Sequence, residues 1–77
     1  MDFSFLNNGS SELKVSIEPW GDAFRLPASS LLVVNPTPIS GEALRLRCEL
    51  APGEVVIWCD AGALDLQASI DGKLVRK

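Results

Sequence analysis

Apolar and polar residues alternate with a period of two along most of the chain, which predicts β-strands. In the clearest segment, Leu13, Val15 and Ile17 alternate with charged and hydroxyl residues. The pattern recurs at residues 3–5, 24–26, 44–50 and 64–70. No segment carries the 3.6-residue apolar stripe of an amphipathic helix, so an all-β fold is expected. The side chains expected to face the core from the two longest segments are Leu44, Leu46, Cys48 and Leu50, and Leu64, Leu66, Ala68 and Ile70.

Turn-forming residues separate these segments at short intervals. The punctuating sequences are Asn7-Asn8-Gly9, Pro36-Thr37-Pro38, Pro52-Gly53, Ala61-Gly62 and Asp71-Gly72. About seven to eight short strands at this spacing are typical of a small antiparallel β-sandwich or a jelly-roll-like barrel. We therefore expect a single β-sandwich domain over residues 1–77, with a longer loop at Asn35–Glu42 bridging its two sheets.

Two of the turns raise a question of register. At the first turn, a two-residue Asn8-Gly9 hairpin would place Phe3 opposite Lys14, whereas a three-residue loop pairs Phe3 with Leu13. The apolar pattern favours the three-residue loop. At Asp71-Gly72, a two-residue turn points Val75 into the core and a bulged turn points Leu74 there, and both remain open.

Two segments are apolar without alternation, Leu31–Val34 and Val55–Trp58. Continuous apolar strands are typical of positions covered on both faces, but a two-layer domain covers only one. Val56 and Trp58 point away from Val55 and Ile57 and form a candidate outward patch. The patch could be covered by the Asn35–Glu42 loop or Trp20, by a second copy of the chain, or by a foreign ligand.

Trp20 follows Glu18-Pro19 and precedes Gly21-Asp22. An aromatic face flanked by carboxylates could serve as a platform for a sugar. The alternative, which we favour, is that the indole plugs one end of the sandwich, because an aromatic residue without a pocket is a weak ligand signal.

Cys48 and Cys59 are the only cysteines, and both are predicted on one hairpin. A Gly53-Glu54 turn would set them directly opposite each other, and a Pro52-Gly53 turn would set Cys48 opposite Ile57. Parity places both on the same face in either register. We interpret them as small core residues, ahead of a disulfide.

Charge and composition narrow the classes of function. The net charge of −3 argues against a general nucleic-acid-binding protein. The absence of His removes His-dependent catalysis and His-ligated zinc, and no calcium-loop motif is present, so no metal, cofactor or catalytic residue is expected. No transmembrane-length apolar run or signal-peptide pattern occurs, which indicates a cytoplasmic protein without membrane contact.

The remaining charges are expected to be structural. Arg45, Arg47 and Glu49 share one strand face, with Asp60 across the predicted hairpin, where they can form cross-strand ion pairs. The basic residues Lys73, Arg76 and Lys77 are expected to keep the last strand from pairing with another edge.

The run Ile17-Glu18-Pro19-Trp20, then Phe24-x-Leu26-Pro27 and Val33, resembles short bacterial β-sandwich proteins that have no assigned function. The later segment Ala68–Val75 fits the same likeness. The order of strands and turns is also similar to that of cupin-like jelly rolls, but their metal-binding His residues are missing here. The resemblance implies a fold and carries no functional residue.

The sequence thus favours a non-enzymatic interaction domain that forms a homo-oligomer or binds a protein partner through an apolar sheet face. The alternative is a module for carbohydrate or another small ligand that uses exposed tryptophan. In either case the candidate binding residues are Trp20, Val56 and Trp58.

Overall fold

The computed structural model describes residues 2–76, which form eight strands in two four-stranded sheets. The strands are β1 (Phe3–Leu6), β2 (Leu13–Glu18), β3 (Asp22–Leu26), β4 (Leu31–Pro38), β5 (Arg45–Ala51), β6 (Glu54–Ala61), β7 (Ala63–Ile70) and β8 (Lys73–Arg76). Sheet I has the order β1-β4-β7-β8 and sheet II the order β3-β2-β6-β5. The all-β sandwich prediction is confirmed, and the two sheets do not close into a barrel.

The core lies between the central strands of the two sheets, β4 and β7 in sheet I and β2 and β6 in sheet II. In the middle of these strands every second residue is buried, as the alternation predicts. The buried apolar residues are Val15, Ile17, Leu26, Leu32, Val34, Val55, Ile57, Leu66 and Ala68. Covering these side chains is the main apolar contribution to stability in so small a chain.

One pairing departs from the antiparallel expectation: β2 and β6 run parallel. Their register sets Val15 beside Val55 and Ile17 beside Ile57. The two strands belong to different hairpins and are separated by the crossing into sheet I and back, so no tight turn fixes their relative direction. Matching of the two buried faces fixes the register instead.

The predicted pairing of Phe3 with Leu13 is wrong. Phe3 lies opposite Val34, because β1 joins sheet I and the chain crosses to sheet II before β2 begins. The crossing is fixed by Asn7, which is 3% exposed. Its amide nitrogen donates to the carbonyls of Leu26 and Pro27 at 3.0 and 3.1 Å. A buried side chain thus replaces the hairpin turn expected there.

The two later hairpins have two-residue turns. Ala51 pairs with Glu54 across Pro52-Gly53. Of the two predicted registers for the β5–β6 hairpin, the one that sets Cys48 opposite Ile57 is therefore observed. Ile70 pairs with Lys73 across Asp71-Gly72, whose φ angles of 48° and 87° define a type I′ turn. A register shift in β8 then leaves both Leu74 and Val75 exposed, so neither of the alternatives for the core is realised.

The connection between the sheets is shorter than the predicted Asn35–Glu42 loop, because β4 continues to Pro38. Residues 39–44 bridge the sheets, as expected. The Ile39 amide donates to the Gly62 carbonyl at 3.0 Å, which ties this bridge to the β6–β7 corner. Gly62 has φ +87°, and a Cβ there would lie 2.3 Å from the carbonyl oxygen of Ala43. Only glycine therefore lets the bridge pass so close to the corner.

We expect Gly62→Ala to lower the free energy of unfolding, because it adds a backbone clash to the strain of a left-handed conformation. Gly53→Ala is the matched control, since Gly53 also has positive φ (+73°) but open space around its Cβ position. Urea denaturation should show a loss of about 1–2 kcal/mol for the control and at least about 1 kcal/mol more for Gly62→Ala. Equal losses would mean that the close approach to Ala43 costs nothing.

Candidate functional site

Val56 and Trp58 lie together on the outer face of sheet II, as predicted. Their neighbours on β6, Val55 and Ile57, are buried in the core, whereas Val56 and Trp58 are half-buried. In the flanking strands, β2 places Ser16 beside Val56 and Glu18 beside Trp58, and β5 places Glu49 and Arg47 in the corresponding positions. The patch is therefore apolar at its centre and polar around it.

Arg47 covers the indole of Trp58. Its guanidinium carbon lies 5.1 Å from the ring centroid, within the range of a cation–π contact. The same guanidinium donates to Asp60 at 3.0 and 3.2 Å and to Glu49 at 2.9 Å. The hydrogen bond from Arg47 lowers the pKa of Asp60 and raises the pKa of Arg47 itself. Of the predicted ion pairs, Arg47–Asp60 forms across the hairpin, and Arg47–Glu49 forms within β5. Together they hold a cation over the patch.

The indole Nε1–H of Trp58 is buried and has no hydrogen-bond partner among the described residues. Leaving such a donor unpaired costs about 1–3 kcal/mol. Because this nitrogen is buried within the chain, the cost falls on the folded chain itself, and the group is not displayed to another molecule.

Trp20 is placed elsewhere, at one end of the sandwich, where it packs partly buried against the core. The Arg76 guanidinium lies 5.0 Å from its ring centroid. This is the end-plug arrangement that the sequence favoured over a sugar platform. Trp20 therefore contacts the core and β8, and the three candidate residues do not form one surface.

Arg76 is turned inward, contrary to the prediction that it would help keep the last strand from pairing with another edge. Its side chain is only 11% exposed and bonds to Asp22, Asp65 and the Leu66 carbonyl. The register shift in β8 pairs Arg76 with buried Ala68, which directs it between the sheets. Lys73 is exposed at the β8 edge. The same prediction included Lys77, which lies outside the described residues.

The core-facing side of β5 is uncovered, a feature that the sequence did not reveal. Leu50 pairs with buried Val55 and Cys48 with buried Ile57, so both belong to the core face of sheet II. Yet Leu50 is 74% exposed and Cys48 is also exposed, while Leu46 is half-buried. The expectation of core positions is wrong for Cys48 and Leu50, whereas Leu46 packs partly buried against the core. Sheet I does not extend over the part of β5 that carries Cys48 and Leu50.

The two cysteines are free in the described structure, with Cys48 exposed and Cys59 half-buried against the core. The interpretation as core residues therefore applies in part to Cys59 and not to Cys48. Partial burial raises the pKa of the Cys48 thiol. A nucleophilic cysteine needs the opposite shift.

Leu64 was also predicted to face the core, but it is exposed near the start of β7. Thr37 pairs with Asp65 and Pro38 with Ala63, so a bulge leaves Leu64 without a partner. A bulged residue is released from the alternation that its neighbours follow.

A shallow open depression of about 220 Å³ lies beside β3 and is lined by Lys14, Ala23, Phe24 and Arg25. Its two cations are already engaged, Lys14 with Glu54 and Arg25 with Glu12. Because a carboxylate neighbours each cation, the depression is a weaker candidate site than the outer face of sheet II and its β5 edge.

Within residues 2–76, no cluster of three or more His, Cys, Asp or Glu side chains is arranged to hold a metal ion. Over the same residues, no helix has the length and apolar character needed to cross a membrane.

Comparison with known proteins finds no matching family model, no matching curated protein and no matching solved structure. The resemblance to small bacterial β-sandwich proteins stays a prediction, and the assignment of function depends on the residues described above.

We expect the ion pairs of Arg76 with Asp22 and Asp65 to make the stability of the fold sensitive to acid. The hydrogen bond from Arg76 and that from the Leu66 amide lower the pKa of Asp65. A carboxylate whose pKa is lower in the folded than in the unfolded chain stabilises the fold at pH values above its unfolded-state pKa, about 3.9 for Asp. That contribution is lost as the pH falls through the pKa of the folded state. Stability measured by urea denaturation should therefore decline below about pH 4.

The variant Asp65→Asn should be less stable than the wild type at neutral pH, and its stability should fall less on acidification. Glu42→Gln is the control, because Glu42 is exposed and no ion pair is found for it in the described residues. Parallel pH profiles for Asp65→Asn and the wild type would contradict a role for this carboxylate.

Proposed function

We propose that this chain is a non-enzymatic interaction domain that self-associates through the β5 side of sheet II. The observation that carries the proposal is the exposure of Leu50 and Cys48 on a face that is otherwise core. Apolar side chains that continue a core into solvent mark a surface that gains from being covered.

The surroundings of β5 support an interface. On its core-facing side lie Leu46, Cys48 and Leu50, and on its outer side Arg47 covers the Trp58 indole. Tryptophan and arginine are enriched among the residues that contribute most to protein–protein binding.

The non-enzymatic part of the proposal depends on the same residues. The chain has no His, the carboxylates of Glu49 and Asp60 are engaged by Arg47, and the Cys48 thiol has a raised pKa. A cytoplasmic location is part of the proposal, because free thiols persist in reducing compartments.

The carbohydrate alternative has less support. A sugar platform requires an aromatic face open to solvent, whereas both indoles have a guanidinium about 5 Å from the ring. The observations favour a protein surface, and the simplest partner is a second copy of the chain.

The test is the solution mass, measured by size-exclusion chromatography with light scattering over a concentration series. We expect a concentration-dependent dimer or larger species that is lost in Leu50→Lys, because lysine places a charge in the covered surface. Leu64→Lys is the matched control, since Leu64 is 67% exposed on the other sheet. Its mass should equal that of the wild type.

Val56→Glu and Trp58→Glu provide a second arm on the outer face, with circular dichroism as the check of folding. Loss of association in these variants would extend the interface to the outer face. A wild type that stays monomeric up to ~1 mM, where binding would be worth only about 4 kcal/mol, would refute the proposed self-association.

A further inference from the structure

Strand β5 is one of the two edge strands of sheet II, and it offers both an unpaired backbone and an exposed apolar side. It is seven residues long, and no residue of β5 is buried. Natural sheets protect long edges with proline, with bulges, or with charges that point inward. Along Arg45–Ala51 there is no proline, and the pairing with β6 is irregular only at its start, between Arg45 and Leu46. The inward positions of the regular part carry Leu46, Cys48 and Leu50.

The backbone groups that point to the free edge follow from the turn. Ala51 and Glu54 close a two-residue hairpin and are therefore a hydrogen-bonded pair. Because this pattern alternates along an antiparallel strand, the amides and carbonyls of Leu46, Cys48 and Leu50 point away from β6. These residues are also the ones with apolar side chains on the core-facing side.

The sequence of β5 is self-complementary about Cys48. We propose that two copies of the chain pair antiparallel along β5, with Cys48 of each copy facing the other on the two-fold axis. This register places Leu46 opposite Leu50 of the second copy, and Arg47 opposite Glu49 of the second copy. The inference rests on the proposed self-association and specifies its geometry.

Charge selects this register over its neighbours. The two adjacent registers that keep the same backbone pattern would set Arg47 opposite Arg47, or Glu49 opposite Glu49, and like charges directly opposite are destabilising. Centring on Cys48 forms the Arg47–Glu49 pair twice. Within one chain these two side chains already bond at 2.9 Å but are about half-exposed, so the contact is weak and can be shared across the axis.

The pairing also brings the exposed apolar side chains of the two copies into contact side by side. Leu46, Cys48 and Leu50 of both copies would form one stripe along the joined edge, and sheet II would become a continuous eight-stranded sheet. A two-fold interface of this kind is closed, because each free β5 edge is used once. Addition of a strand at an open sheet edge is a common mode of protein recognition.

The first arm of the test reverses charge. Arg47→Glu or Glu49→Arg alone replaces two attractive pairs with two repulsive ones, and each should weaken dimerisation at least about tenfold. The double variant Arg47→Glu/Glu49→Arg restores both pairs across the axis and should dimerise like the wild type. The double variant also restores the opposite charges at positions 47 and 49 within one chain, where the wild-type side chains bond at 2.9 Å. Rescue therefore supports the interchain pairing only together with the crosslinking arm, which leaves both charges intact.

The second arm measures the register. In a Cys59→Ser background, diamide should oxidise Cys48 to an interchain disulfide, because a hydrogen-bonded antiparallel pair has Cα atoms about 5.5 Å apart, within the range of disulfides. The control is Leu46→Cys with Cys48→Ser and Cys59→Ser. Residue 46 lies four positions from its counterpart in this register, roughly 13 Å away, and should not crosslink.

The outcomes separate the two proposals. Charge-swap rescue together with crosslinking at residue 48 and not at 46 supports pairing along β5. If the wild type dimerises and neither charge reversal weakens the dimer, or if residue 46 crosslinks as well as residue 48, this geometry is wrong but self-association is still supported. A wild-type monomer overturns both. If a single variant fails to fold by circular dichroism, the crosslinking arm, which leaves both charges intact, decides.

Discussion

The parallel pairing of β2 with β6 is the contact on which the rest of the structure depends. It joins the β2–β3 hairpin to the β5–β6 hairpin in one sheet and aligns Val15 and Ile17 with Val55 and Ile57. These four side chains are the part of the core that sheet II contributes at its centre, and all are buried. Because β6 takes β2 on one side and β5 on the other, the pairing also determines that β5 is an edge.

The exposed surface follows from that arrangement. A two-layer sandwich covers only the strands that lie beneath the opposite sheet, and β5 extends past this cover. Its core-facing residues keep the apolar character of a core strand, while its outer face carries the Arg47 network with Glu49 and Asp60. The same strand therefore combines an apolar side, a charged side and a free backbone edge, which are the three elements of the proposed interface.

Sequence patterns predicted elements where a local rule governed them. The alternation at Leu13–Ile17 gave a strand with the correct buried face, and Pro52-Gly53 was one of two stated turns for the β5–β6 hairpin. The outward direction of Val56 and Trp58 followed from parity and is observed. The failures have non-local causes. Phe3 pairs with Val34 because β1 belongs to the other sheet, and Leu64 leaves the pattern at a bulge.

The same distinction between local pattern and tertiary structure applies to the candidate site. By itself the sequence determined that the chain forms strands and which side chains of a strand share a face. It also determined that Arg47 and Asp60 can meet across a hairpin. All three features depend only on the two-residue period of a strand and on short turns. Only the tertiary structure decided which faces are covered. Cys48 and Leu50 have the pattern of buried residues and are exposed, whereas Arg76 is a charged residue near the end of the chain and is enclosed. Coverage depends on how far one sheet extends over the other, and no property of a single strand encodes that overlap.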